Sequence, residues 1–318
     1  MGAGRDDSER TAVIDLPSPE ELYAAAQILP PGTQLEHAKR YEIIERLGEG
    51  GMGHVYRAYD PSMDRYVALK ILKQGVGDVE SRRFHREAVV AADFSHSNLV
   101  RVFEVGRSED LQWLAMEWLR GRDIGHVLER GRQANFRLVV DIFAQILDAL
   151  DYIHTRGIIH CDIKPENIFI TRDPYDRRLI VAKLIDFGIA KDLNAPAQVE
   201  QYIAGDPRYI APEQTVLNGA IDGRADLYAL GISFYELVAR QHPFEWALAA
   251  DDPQELLRLQ LEHQPPPLST YLPATTRLEL ATALDDFVRH ATSKRPDTRF
   301  RNAMEMKSSL IQIMGLLE

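Results

Sequence analysis

The chain has a single cysteine, Cys161, among 318 residues. One thiol forms no intramolecular disulfide and is too few for a cysteine-built zinc site, so a reducing, cytoplasmic location is expected. Long hydrophobic runs are missing as well. No stretch approaches the roughly 18 apolar residues that a spanning helix needs, and the opening MGAGRDDSERTAVIDL lacks the apolar core of a signal peptide. Asp6 stands where a myristoylation pattern after Gly2 requires serine or threonine, which excludes that anchor. Positive charge is in deficit: 37 Lys and Arg face 48 Asp and Glu, a net charge of −11. Broad phosphate-backbone binding needs clustered cations, so nucleic acid is not an expected partner. There is no internal repeat and no low-complexity tract. With 45% hydrophobic and 27% charged residues the composition is that of a globular protein, and at roughly 100–200 residues per domain the length suggests two domains or lobes.

Three regions differ in pattern. Residues 1–40 mix charged and small residues with Pro17, Pro19, Pro30 and Pro31 and read as a partly disordered tail. Within it, Ser18, Pro19, Glu20 and Glu21 have the pattern of one short helix start. Residues 41–117 contain five short strand patterns, YEIIERLG, HVYRAYD, RYVALKIL, LVRVFEVG and LQWLAMEW. One helical pattern interrupts them, with Phe84, Ala88, Ala91 and Ala92 recurring between Val79 and Phe94. From 118 to 318 the period is mainly helical. Val139, Ile142, Phe143, Ile146, Leu147, Leu150 and Ile153 form one stripe, whereas Asp226 to Ala239 is apolar nearly all round, as a helix in mid-core would be.

The residues that can carry chemistry lie along both regions. Gly48-Glu49-Gly50-Gly51-Met52-Gly53-His54-Val55 sits between two strand patterns, where glycines let backbone amides approach phosphates. The dinucleotide version of this spacing opens a helix; here a strand follows. Lys70, in the apolar strand Val67-Ala68-Leu69-Lys70, can neutralise phosphate charge, with Glu87 on the intervening helix as its anionic partner. In His160-Cys161-Asp162-Ile163-Lys164-Pro165-Glu166-Asn167, Asp162 can accept a proton from a hydroxyl and Lys164 can screen a transferring phosphoryl group. Asn167 offers an amide oxygen, and Asp186, in Asp186-Phe187-Gly188, a carboxylate at a strand end. Hard oxygen ligands of this kind suit Mg²⁺.

These motifs resemble the eukaryotic-like, Hanks-type serine/threonine protein kinases of bacteria. Six elements occur in family order: the Gly48–Val55 loop, Lys70, Glu87, the Asp162–Asn167 loop, Asp186-Phe187-Gly188 and Ala211-Pro212-Glu213. The resemblance runs from about residue 41 to 312 and implies an α+β bilobal fold: a small antiparallel β lobe with one helix over 41–117, and a larger, mainly helical lobe over 118–318. It implies transfer of the γ-phosphoryl group of ATP, with Mg²⁺, to hydroxyls of protein substrates. Asp162, Lys164, Lys70 and Glu87 would be the catalytic group, and Asn167 and Asp186 the metal ligands. Leu47, Gly48, Gly50, Gly53, Val55, Ala68, Lys70, Met116, Glu117, Leu119 and Phe169 would hold ATP: Val55, Ala68 and Phe169 against the adenine, Met116 at the back pocket, and the backbone of Glu117 and Leu119 at the adenine edge. Glu213 would pair with Arg295, and Asp226 would brace the catalytic loop through backbone amides.

Three departures from the family stand out. Cys161 takes the place of an arginine that in many relatives holds a phosphorylated activation-segment residue; a thiol does not bind a phosphate dianion in that way. The segment from Phe187 to Glu213 contains no serine or threonine. Phosphoacceptor and receptor are thus absent together, and activation without segment phosphorylation is expected. Asp206 replaces a threonine whose hydroxyl bridges the catalytic aspartate and lysine. A carboxylate there could attract Lys164 and repel Asp162, each by about 4 kcal/mol at 4 Å and an effective dielectric of 20. That residue keeps open a second reading, an ATP-binding pseudokinase or scaffold.

Overall fold

Strict alternation along Val67 to Leu72 sends Val67, Leu69 and Ile71 to one face of a sheet and Ala68, Lys70 and Leu72 to the other. In the computed structural model this strand is the middle of five. The structure describes residues 29, 32, 41–49, 53–72, 77, 81, 84, 91–107, 112–129, 135–173, 175–187, 190–193, 205–216, 220–249 and 252–317. The short helix expected after Ser18, together with Gly50, Glu87, Ala88 and Gly188, lies outside the described residues.

The five strands are β1 (Glu42–Glu49), β2 (Gly53–Asp60), β3 (Arg65–Leu72), β4 (Val102–Arg107) and β5 (Gln112–Glu117), in the antiparallel order β1-β2-β3-β5-β4. One face is closed by Tyr41, Ile43, Tyr56, Val67, Leu69, Ile71 and Trp113, with Leu29 of the tail region packed against them. Its backbone N–H donates to the Tyr56 hydroxyl at 3.0 Å. On the other face Phe84 packs with Leu72 and Leu114. Ser81, Phe84, Ala91 and Ala92 are helical, in keeping with the one helix expected there. Gly53 has a packing reason to be glycine: a Cβ there would meet the carbonyl oxygen of Ile71 at 2.2 Å, whereas one on Gly48 would meet open space.

The second lobe begins with β6 (Gly121–Asp123) and contains α1 (Ile124–Glu129), α2 (Phe136–His154), β7 (Ile158–Ile159), β8 (Ile168–Arg172), β9 (Ile180–Leu184), β10 (Lys191–Asp192), α3 (Arg224–Ala239), α4 (Glu245–Ala249), α5 (Pro253–Glu262), α6 (Leu278–Ala291) and α7 (Ala303–Gly315). The Asn135 side chain caps α2 by accepting the N–H of Arg137. The helix buries nine residues, and all but Ala149 are large apolar side chains worth about 1.5–3 kcal/mol each. Helix α3 is buried all round, as its uniform apolarity requires, and begins two residues earlier than Asp226. Phe234 on α3 meets Phe143 of α2 at 5.2 Å and Phe287 of α6 at 5.1 Å, both edge-on, the geometry that aromatic quadrupoles favour. Strands β6-β8-β9 form one small antiparallel sheet and β7-β10 another. Strands β8 and β9 form a surface hairpin, and in the connection between them Tyr175 is almost fully exposed. No helix among the described residues is long and apolar enough to cross a membrane.

Candidate functional site

The segment from His160 to Asn167 connects β7 to β8, and its shape is set from below by Asp226. That carboxylate, 1% exposed, accepts the backbone N–H groups of His160 at 2.9 Å and Cys161 at 2.8 Å and meets His154 Nε2 at 2.8 Å, the bracing expected of it. Cys161 is held at φ 66°, a left-handed conformation that costs a non-glycine residue about 1–3 kcal/mol. Asp226 fixes its N–H, and Gln214 Nε2 donates to its carbonyl at 3.0 Å. The turn brings three side chains together. Lys164 Nζ lies 2.8 Å from Asp162 Oδ2, and Asn167 Nδ2 donates to that same oxygen at 3.1 Å and to the Asp162 carbonyl at 2.8 Å.

Asp186 arrives from β9. The Ile185 N–H donates to the Asn167 carbonyl at 3.0 Å, which ties the two segments side by side. His160 spans them from beneath: its Nδ1 accepts the Asp162 N–H and its Nε2 bonds the Ile185 carbonyl, while its ring lies 4.9 Å from that of the buried Phe187. Asp186 is also left-handed, at φ 64°, and is one of the points where the two lobes meet electrostatically, because Lys70 Nζ reaches Asp186 Oδ1 at 3.2 Å. Lys70 itself is 7% exposed. Both hydrogen bonds of the Asn167 amide use Nδ2, so its oxygen complements the partly exposed Asp186 carboxylate as a hard donor. One carboxylate and one amide oxygen fit Mg²⁺, which keeps waters and takes its remaining ligands from phosphates.

Burial works against the Lys164 ammonium, but Asp162, with Asp206 and Asp186 beyond it, more than offsets this and holds its pKa above the usual lysine value. Asp206 makes no hydrogen bond to Lys164. It is taken instead by Arg208, whose Nε lies 3.0 Å from Oδ1 and whose Nη2 lies 2.7 Å from Oδ2. Burial alone would raise the Asp206 carboxyl; the Arg208 guanidinium and amide overcome this and bring it below the usual carboxylate range. Sequence reasoning missed Arg208; the Asp-x-Arg spacing alone does not announce a fork, since Asp297 and Arg299 share it and pair elsewhere. Asp176 with Arg178 and Asp222 with Arg224 adopt the same fork, each arginine N–H donating to the aspartate two residues before it.

The other expected positions fall around the cleft. Val55, opposite Lys70 in the β2–β3 register, is half-buried, Ala68 is opposite Met116, and Leu47 is 47% exposed. Phe169 on β8 and Leu119 after β5 are half-buried. The Glu117 N–H is bonded to the Arg101 carbonyl at 2.8 Å, and its side chain holds Lys183 of β9 at 2.7 Å, a link that no motif announced. One expectation is corrected. Glu213 pairs with Arg299, at 2.7 and 2.8 Å, and Arg295 pairs with Asp297. The turn at 296–298 carries Arg295 outward, its side chain 77% exposed, and returns Arg299 to the core with no side-chain exposure.

Residues 41–310 match the model of the protein kinase domain family. The chain is 37% identical over 277 residues to the serine/threonine-protein kinase Pkn1 of Myxococcus xanthus, across 84% of this chain and 38% of that protein. It is 35% identical over 281 residues to the kinase pkn3 of the same organism, across 86% and 50%. To the kinase PknB of Mycolicibacterium smegmatis it is 33% identical over 284 residues, across 86% and 43%. The chain thus spans half or less of the length of these relatives.

Proposed function

Because the chain belongs to the protein kinase domain family, we propose that it is a serine/threonine protein kinase, transferring the γ-phosphoryl group of ATP to hydroxyls of protein substrates. The observation that carries this reading is the arrangement of Lys164 and Asn167 on one oxygen of Asp162, beside Asp186. In this reading Asp162 receives the proton of the attacking hydroxyl and orients it in line with the phosphorus. Lys164 offsets charge on the transferring group, and Lys70 holds the phosphates from the small lobe, with Glu87 as its partner. Asn167 and Asp186 would hold Mg²⁺, which when bound neutralises phosphate charge. Leu47, Gly48, Gly50, Gly53, Val55, Ala68, Met116 and Phe169 would enclose the nucleotide. With its N–H already bonded to Arg101, Glu117 would meet the adenine edge through its carbonyl, alongside the Leu119 backbone.

We take residues 41–117 and 118–318 as the two lobes, residues 1–40 as a tail that packs Leu29 against the small lobe, and the cytoplasm as the compartment. Activity without activation-segment phosphorylation follows from the lack of serine and threonine between Phe187 and Glu213. The test is transfer of γ-label to serine or threonine of a generic protein substrate. Asp162→Ala should lower it by about 10²–10⁴-fold, the usual contribution of a positioned base, and an unaffected rate would refute the assignment.

A further inference from the structure

We propose that Arg208 is a positioning residue for phosphoryl transfer: by sequestering the carboxylate of Asp206 it leaves Lys164 on Asp162. This rests on the reading of Asp162 as the base. A carboxylate at position 206 is a competitor for Lys164, and it lies near enough to contribute to that lysine's electrostatics. Yet Lys164 Nζ is on Asp162 Oδ2 at 2.8 Å, and both Asp206 oxygens are engaged by Arg208. The contact is two-pronged and reinforced, since the Arg208 backbone N–H also donates to Asp206 Oδ1 at 3.0 Å. A planar guanidinium matches a carboxylate in this way, whereas an ammonium meets it as a point charge.

The arginine is itself held from several sides. Its Nη2 reaches Glu166 Oε1 of the catalytic loop at 2.8 Å, so one guanidinium joins the two segments that carry Asp206 and Asp162. Its carbonyl accepts from His242 Nε2 at 2.8 Å and from the Gln260 side chain, which fixes the backbone from the α3–α4 connection and from α5. The Tyr209 and Ile210 N–H groups close on the Asp206 carbonyl at 2.9 and 3.0 Å, and Gly205 enters the turn at φ 126°, which favours glycine. The result is a rigid turn in which Asp206 is partnered away from the reacting centre. Without Arg208, the carboxylate is left to draw Lys164 off Asp162. That effect acts on the transfer step and spares the adenine contacts.

The experiment is a kinetic cycle with Mg-ATP and a generic serine/threonine peptide, comparing wild type, Arg208→Gln and the double variant Arg208→Gln/Asp206→Asn, with melting temperatures as the check on folding. Arg208→Gln is expected to lower kcat by about tenfold or more while KM for ATP stays within about twofold, because the lost interaction matters in the transition state. The double variant is expected to recover most of kcat, a restoration that a purely structural role of Arg208 would not produce. Should Arg208→Gln not fold, Arg208→Lys keeps the charge and loses the fork; a smaller fall, again reversed by Asp206→Asn, is then expected. Unchanged kcat in the folded arginine variant, or a double variant no faster than the single, would overturn the proposal. A wild-type protein that binds Mg-ATP and transfers nothing would overturn the kinase reading first and this one with it.

Discussion

Arg295 and Arg299 are four positions apart and do opposite things. Arg299 is buried and forked onto Glu213 beneath the activation segment, while Arg295 lies in solvent against Asp297. Removing one partner of a buried, hydrogen-bonded ion pair leaves the other charge stranded, at a cost of about 3–5 kcal/mol. Arg299→Ala should therefore lower the melting temperature sharply, and Arg295→Ala should leave it unchanged; thermal melts of the two variants check this directly. In KRPDTR either arginine satisfies a sequence reading, because the choice is made by one turn of 3₁₀ helix and not by any periodic pattern. Arg208 was hidden for a related reason. A pair two residues apart in a turn has neither the 3.6 nor the 2.0 period on which pattern arguments rest, so its effect on Asp206 becomes visible only when the fork is seen.

At the scale of elements, the patterns that could be read were those with repetition. The β1 to β5 strands follow from alternation, α2 from its stripe and α3 from its lack of any polar face. The two-residue strands β7 and β10 carry no such signal, although they frame the turn that holds Asp162. The connection between α3 and α4 is also silent in the sequence, yet it supports the activation segment through His242. That ring is fully buried, its Nδ1 accepting the Phe244 N–H and its Nε2 donating to the Arg208 carbonyl. One tautomer is thereby fixed, and burial pushes the imidazolium form down to about 4. Between pH 4 and 6.5 the unfolded chain holds a proton on His242 that the folded chain does not, so folding stability falls as pH drops through that window. The loss amounts to about 3 kcal/mol at 1.36 kcal/mol per pH unit. Glu236, raised to about 7 by burial, acts in the reverse direction between 4.5 and 7, since its neutral folded form is lost as pH rises. The two are separated by comparing wild type with His242→Gln: in wild type they nearly cancel between pH 7 and pH 5, so chemical denaturation should show the variant gaining more stability than wild type on going from pH 7 to pH 5, and parallel curves would contradict the assignment.

For the whole molecule, the lobes meet where Lys70 reaches Asp186 and where Lys183 of β9 holds Glu117 at the end of β5. Neither meeting is stated by the motifs: they pair Lys70 with Glu87, give Asp186 to a metal, use only the backbone of Glu117, and assign Lys183 nothing. The single cysteine, first useful for excluding disulfides, occupies a left-handed position fixed by Asp226 and Gln214. Its backbone, and not an arginine side chain at that position, helps set the loop that carries Asp162. We propose an active kinase that needs no phosphate on its activation segment. The most direct test is turnover of phosphatase-treated wild-type protein with Mg-ATP and a generic serine/threonine substrate, beside Asp162→Ala. Transfer is expected at the rate of untreated enzyme, reduced by about 10²–10⁴-fold in the variant; Mg-ATP binding without transfer, or activity lost on phosphatase treatment, would overturn the proposal.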